Sequence, residues 1–386
     1  MRQKMSKKGI FKLSKKATII TLVVIGFAVV ATIYIIDKTG PQTADEYCQR
    51  GWNRYRQGRD RYNGKNQKNI IRDFDKAIKL DPKNSWGYNS RASINSQLGK
   101  YKEAIEDYSK AIELEKCPVS EYCDRADCKF ALKQYKEAFK DYDKAVELGS
   151  KSDNAYCSRG KAKFKLKLYK EAFKDFDKAI KNRPSQHSYL SRGDAYMELG
   201  KYEKASKDYG KVTELNPQDT WAHMKNAYVK IRSGKYKEAI KIYDKLIRQK
   251  PNRPDFYVYR GNIKGQAGEY EEAMKDYDKA MKICPENFWL YYQRGLAKAR
   301  FKQYKEAIKD YGKAIKLNPK YFATYINRGI AKAKLKQYKG AIKDFSKAIK
   351  LNPEPVRTYS YRGYAKLNLK QYKEAIKDLK KSRKNG

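Results

Sequence analysis

An alanine returns along this chain at Ala104, Ala138, Ala172, Ala205, Ala239, Ala273, Ala307, Ala341 and Ala375, always 34 residues apart except for one step of 33 between Ala172 and Ala205. No single globular core imposes such a period. It marks a supersecondary unit that cannot bury its own apolar face and covers it by stacking on copies of itself. The 386 residues are therefore read as one array rather than as two or three globular domains.

Each unit carries two stretches of helical period. The second is clearest in Tyr304 to Leu317, where Ala307, Ile308, Tyr311, Ala314 and Ile315 share one face and Lys305, Lys309, Lys313 and Lys316 the other. Asn318-Pro319 stops this helix, because proline lacks an amide donor and disfavours helix in the residue before it. Asn352-Pro353, Asn216-Pro217 and Asp81-Pro82 repeat the device. One unit is helix, turn, helix, stop.

Position eight of the unit is Gly51, Ala92, Ala126, Gly160, Gly193, Ala227, Gly261, Gly295, Gly329 or Gly363, as required where two helix backbones cross closely. With alanine at position twenty, an aromatic at twenty-four and proline at thirty-two, residues 44–386 resemble the tetratricopeptide repeat (TPR) family. The resemblance implies an all-α fold, a right-handed α-solenoid of about ten helix-turn-helix repeats whose first helices line a concave, peptide-receiving groove.

Before the array the chain changes character. Residues 1–16 carry Arg2, Lys4, Lys7, Lys8, Lys12, Lys15 and Lys16 with no acidic residue, and residues 17–36 are uncharged and mostly apolar, long enough as a helix to cross a bilayer. The reading is a basic cytoplasmic tail at 1–16, a transmembrane helix at 17–36, a short linker at 37–43 and the array at 44–386. A cleaved signal peptide fits less well, since a cut after Val29-Val30-Ala31 would leave Thr32 to Ile36 exposed. The positive-inside rule places the N-terminus in the cytoplasm and the array outside it, a single-pass arrangement. The basic array leaves the opposite orientation open.

The array is irregular in four places. The first repeat holds seven extra residues, assigned to an enlarged turn over Gln57 to Asn69, near enough to the membrane for Arg59, Arg61, Lys65 and Lys68 to meet anionic lipid. One residue is missing around Asn182 to Gln186, where a changed packing angle is expected. The sixth repeat, Thr220 to Arg253, has His223, Asn226, Ile242 and Leu246 where its neighbours have Tyr, Arg, Asp and Ala, and is read as a hinge or partner contact. The last repeat has no capping helix, and Ser382, Arg383 and Lys384 make its end polar.

One departure from the family pattern carries its own explanation. Position seven is arginine in nine repeats, including Arg260, Arg294 and Arg328, and position twenty-three is aspartate in the same nine, including Asp276, Asp310 and Asp344; the sixth repeat lacks both, with Asn226 and Ile242. An arginine at a helix-packing position requires a partner, so these are read as structural pairs.

Nothing in the residues points to an enzyme, a cofactor or a metal. His187 and His223 stand in no motif, and the cysteines Cys48, Cys117, Cys123, Cys128, Cys157 and Cys284 lack the close pairing of zinc knuckles. What remains is binding. In the implied groove the early repeats offer Asn89, Ser93, Cys123 and Asp127, while the later ones offer Trp289, Tyr292, Leu296, Ile326, Ile330, Arg357, Tyr361 and Tyr364, suited to a protein or peptide segment. The Lys and Asn set that grips acidic chaperone tails in similar proteins is broken by Val258 and Ile326. The leading function is a membrane-anchored scaffold for a protein partner. The alternative is a polyanion-binding module using the lysine-rich outer faces of a chain of net charge +44, its ligand an acidic envelope polymer, an anionic lipid or nucleic acid, the last only if the array faces the cytoplasm.

Overall fold

The computed structural model describes residues 41–57, 64–150, 152–353 and 356–384. The anchor read at 17–36 and the tail before it lie outside the described residues, as do Arg59 and Arg61. Among the described residues no helix is long and apolar enough to cross a membrane.

Twenty helices, and no strand, make up the described residues. They alternate as the first and second helices of ten repeats, from α1 (Ala44–Gln57) and α2 (Gly64–Leu80) to α19 (Val356–Asn368) and α20 (Tyr372–Lys384). The chain divides into two compact units, one ending at Arg183 and the other beginning at Pro184, at the point where the 34-residue period loses a residue. The first unit contains α1 to α8, ending with α7 (Asp153–Lys165) and α8 (Tyr169–Asn182).

In the second unit the first helices are α9 (Gln186–Glu198), α11 (Thr220–Arg232), α13 (Pro254–Gln266), α15 (Phe288–Arg300), α17 (Phe322–Lys334) and α19. Their partners are α10 (Tyr202–Leu215), α12 (Tyr236–Gln249), α14 (Tyr270–Ile283), α16 (Tyr304–Leu317), α18 (Tyr338–Leu351) and α20.

The signals that start and stop these helices act locally. Asn84, Ser152, Asp219 and Asn287 cap first helices with a side-chain oxygen, and Ser185 forms a capping box with Ser188. The second helices end at Leu80, Leu215, Leu317 and Leu351, immediately before their Asn-Pro or Asp-Pro. Between the two helices of a repeat the chain must turn through the left-handed region. Gly99, Gly200, Gly234 and Gly268 do so, but Lys133, Lys167, Lys302, Lys336 and Lys370 hold the same position at φ of 58–63°.

Packing within a repeat is set by position eight under position twenty-four. A Cβ added to Gly329 would lie 2.6 Å from Phe345, and one on Gly295 would lie 2.7 Å from Tyr311, so only glycine lets these rings lie flat on the first helix. The enlarged turn expected over Gln57 to Asn69 is shorter than the sequence suggests. Residues 64–69 are helical, because much of the insertion extends α2 to 17 residues; Lys68 is exposed on it.

Candidate functional site

Polar contacts fix how each first helix lies and therefore what it presents. Arg294 donates from Nε and Nη2 to the two carboxylate oxygens of Asp310, at 2.9 and 2.7 Å. Lys298 adds its Nζ at 2.8 Å, and the arginine's remaining Nη1 reaches Asp278 of the preceding repeat at 2.6 Å. Arg260 with Asp276, and Arg328 with Asp344, repeat the bidentate pair. The pair lies within one repeat, and where the preceding repeat offers an acceptor the third donor ties the two together, as Arg260 does to Asp244; for Arg125 and Arg362 a serine, Ser109 or Ser346, takes the third bond, and before Arg328 the corresponding residue is Gly312. Each of these arginines also lies over the tyrosine three residues before it, as Arg294 does over Tyr291.

The sixth repeat substitutes apolar packing for this lattice. Ile242 and Leu246 join one continuous core with Tyr243, Phe256, Tyr257 and Val258, and Asn226 accepts a hydrogen bond from Ser206 at 2.8 Å. His223 takes a tyrosine's place and keeps its contact: His223 Nε2 lies 3.1 Å from the Pro217 carbonyl, as Tyr325 donates to that of Pro319 at 3.2 Å.

The eight groove candidates do not form one surface. Leu296 lines a cavity of about 710 Å³, whereas Ile330, Tyr361 and Tyr364 line another of about 300 Å³ near the C-terminus. Tyr292 is buried: it packs on Tyr311 and Tyr321 and bonds Asn327, and burial pushes its phenol up to about 12. Its position points between first helices α15 and α17 and not into the groove. Trp289 is half-buried against Tyr259. Ile326 and Arg357 line neither cavity.

The larger cavity is built by α11, α13 and α15 and so centres on the sixth to eighth repeats, earlier than the sequence suggested. Its apolar wall is formed chiefly by Trp221, Met224, Tyr228, Tyr259 and Leu296. Trp221 and Tyr228 are 61% and 46% exposed. Lys225 and Arg300 supply positive charge, and among the described residues no acidic side chain lines the space. Lys225 is engaged by Asp194 at 2.5 Å.

One sequence signal marks this place and lies in the pairing of positions nine and twenty-four. Where position nine is an aspartate or asparagine, position twenty-four is tyrosine and donates to it: Tyr142 to Asp127, Tyr209 to Asp194, Tyr277 to Asn262; where position nine is Ser93, position twenty-four is again a tyrosine, Tyr108. Where position nine is Trp52, Lys161, Ile330 or Tyr364, position twenty-four is Phe74, Phe176, Phe345 or Leu379. Two repeats break the rule, with Tyr243 against Tyr228 and Tyr311 against Leu296. Among the described residues the fully buried Tyr311 has no partner for its hydroxyl, and Tyr243, which lines the cavity, makes no hydrogen bond. Both Tyr228 and Leu296 are cavity residues.

The first unit has a cavity of about 480 Å³ of opposite character, with Asp124 and Asp127 beside Cys123 and Tyr142. Burial, then Asp127 and Glu121, raises the Asp124 carboxyl to about 6, and burial with Asp127 raises the Cys123 thiol to about 11. A thiol so raised is a poor nucleophile. Among the described residues no set of His, Cys, Asp or Glu is arranged to hold a metal ion.

Family models described as TPR repeat match residues 193–230, 261–300 and 302–336, and models described as Tetratricopeptide repeat match 85–116, 122–149, 153–186, 223–253 and 322–355. No curated protein matches the chain. Among solved structures it is similar to MamA from Desulfovibrio magneticus RS-1, at 23% identity over 42% of this chain and 92% of that one, with a TM-score of 0.38. A tetratricopeptide repeat protein from Parabacteroides merdae aligns at 20% identity over 64% of this chain and 98% of that one, with a TM-score of 0.44. The APC/C hetero-tetramer Cut9-Hcn1 aligns at 14% identity over 92% and 95%, with a TM-score of 0.41. With matches that run through most of the sequence from residue 85 to 355, on repeats whose helices fall in the same register, the chain belongs to the tetratricopeptide repeat family.

Proposed function

We propose that this protein is a membrane-tethered scaffold that holds a segment of a partner protein in the groove of its second unit. The observation that carries the reading is the 710 Å³ cavity, with Trp221 and Tyr228 left largely exposed beside it. Large aromatic side chains on rigid helices, open to solvent around an apolar concavity, are what anchors a partner side chain. The tether is residues 17–36, with the basic residues 1–16 holding the N-terminus in the cytoplasm and the array beyond the membrane.

A photo-cross-linking amino acid in place of Tyr228 or Tyr364 tests the groove in cells. Discrete protein adducts from these positions, and none from Lys313 on the outer face, are the expected result. Equal labelling from Lys313 would remove the groove from the argument. Protease digestion of a C-terminal tag in spheroplasts tests the tether, since a protected tag would put the array in the cytoplasm.

The exposed lysines of second helices, such as Lys305, Lys309, Lys313 and Lys316, favour the polyanion reading. Binding that falls steeply with salt and survives Trp221→Ala would support it over the groove.

A further inference from the structure

The groove cavity is unbalanced in charge and in hydrogen bonding. It has two cations and no anion in its wall, in contrast to the first unit's cavity, which has carboxylates. Of its two cations, Lys225 is neutralised by Asp194, whereas Arg300 is exposed and makes no ion pair among the described residues. The nine arginines at position seven show what this protein does with a guanidinium that it uses for itself: each is held by an aspartate of its own repeat. Arg300 has no such partner. The hydroxyl of Tyr243, also in the wall, makes no hydrogen bond to a described residue: in place of the aspartate or asparagine that position nine supplies in other repeats stands Tyr228, whose own hydroxyl accepts from Arg232.

We infer that the cavity receives an acidic segment of its partner: an apolar side chain fills the space beside Trp221, Tyr228 and Leu296, a flanking aspartate or glutamate meets Arg300, and a peptide oxygen accepts from Tyr243. The inference rests on the groove reading and adds the ligand's chemistry to it. The arrangement follows from what each group needs. A guanidinium in a partly apolar cleft gains most from a carboxylate, which it can grip through two N–H donors. A phenol beside the same cleft needs an acceptor, which a backbone carbonyl of the bound segment supplies. The ligand so defined is acidic on one side and apolar on the other. A basic segment would meet Arg300 with like charge.

A random dodecapeptide library displayed on phage, selected on the full chain in detergent micelles, tests both levels. Because the chain is so basic, acidic sequences alone would mean little. The controls are therefore three: Trp221→Ala with Tyr228→Ala to remove the apolar wall, Arg300→Gln to remove the inferred carboxylate site, and Lys313→Gln to remove one equally exposed outer charge. All are at exposed positions, and circular dichroism melts like the parent's establish that they fold.

The expected result is a set of peptides with Asp or Glu within a few residues of an aromatic or large aliphatic one. Their binding should be lost with the double alanine variant, weakened about tenfold by Arg300→Gln, and unchanged by Lys313→Gln. Apolar peptides without acids, or equal affinity for the Arg300→Gln variant, would overturn the acidic ligand while leaving the groove in place. Selection that ignores the Trp221→Ala and Tyr228→Ala changes would overturn the groove reading itself.

Discussion

Arg294 and Asp310 form a two-bonded ion pair across the helices of one repeat, with Arg294 19% and Asp310 6% exposed. A pair this sheltered is strongly coupled, because removing one member leaves the other charged in a place water reaches poorly. Arg294→Ala or Asp310→Ala should each cost on the order of 3 kcal/mol, and both together clearly less than the sum. Urea denaturation of the four members of the cycle measures it. Additive losses would mean that the contact does not contribute as a pair.

Lys302 turns the chain at φ 61°, where a Cβ crowds the following carbonyl, while Gly268 makes the same turn one repeat earlier. Gly at this site relieves the strain at some cost in unfolded-state entropy. Lys302→Gly should therefore raise stability, by about 0.5–1 kcal/mol, and Gly268→Lys should lower it by a similar or larger amount. A melting comparison of the two variants decides.

The repeat, the helix boundaries and the Arg-Asp pairing were legible because each depends on contacts at fixed sequence separation. Arg294 and Asp310 are 16 residues apart in one unit, and the joint loss at Asn226 and Ile242 reported their coupling. The groove was less legible. A first-helix residue such as Tyr292 can point outward or toward the neighbouring first helix, and only the stacking of α15 on α17 decides that it is buried. Trp221 and Tyr228 were overlooked for the converse reason: they lie in the sixth repeat, whose departures read as irregularity, although those departures remove the polar lattice and leave an apolar core beneath the cavity. The pairing of positions nine and twenty-four carried the missing signal. It becomes interpretable once Tyr277 is seen bonding Asn262 at 2.6 Å.

Glycine has two different roles in these helices, and substitution separates them. A Cβ at Gly329 would stand 2.6 Å from the Phe345 ring, whereas at Gly312 on α16 nothing lies within 4 Å. Gly329→Ala should destabilise by roughly 1–3 kcal/mol through overpacking. Gly312→Ala should stabilise by about 0.5–1 kcal/mol, because alanine is the better helix former. Thermal melts of the two variants should move in opposite directions, and movement in the same direction would contradict the packing argument.

His223 makes the sixth repeat sensitive to pH. Burial lowers its pKa from the ordinary 6.5; the Pro217 carbonyl and Asp219 oppose this, and Lys245 adds to it. Because the folded chain holds the neutral ring more firmly than the unfolded chain does, the unfolded state takes up more protons below 6.5. Stability is complete above 6.5 and falls as the pH drops below that value toward the lower folded pKa. Hydrogen exchange of α11 amides between pH 7.5 and 5.5 should show this loss, corrected for intrinsic exchange rates. In His223→Tyr, which restores the residue of the other repeats, that component should be absent; a pH profile identical in the two proteins would assign the effect elsewhere.

Tyr277 and Tyr311 hold the same position in adjacent repeats, but among the described residues only Tyr277 has a hydrogen-bond partner, Asn262; the position facing Tyr311 is Leu296. The hydroxyl of Tyr277 therefore contributes and that of Tyr311 is buried at a cost. Tyr277→Phe should destabilise the second unit by about 1 kcal/mol, while Tyr311→Phe should be neutral or stabilising by a similar amount. Leu296→Asn should then supply the missing acceptor. In the parent chain Asn at this site gains a bond to Tyr311, but combined with Tyr311→Phe it does not, so the two changes should be coupled by about 1 kcal/mol in denaturant midpoints. The same Leu296→Asn change makes the cavity wall more polar and should weaken any apolar ligand of the groove. A protein stabilised by Leu296→Asn yet weaker in binding would show that the orphaned hydroxyl is tolerated for the sake of an apolar site, whereas Tyr311→Phe costing as much as Tyr277→Phe would remove the distinction between the two repeats.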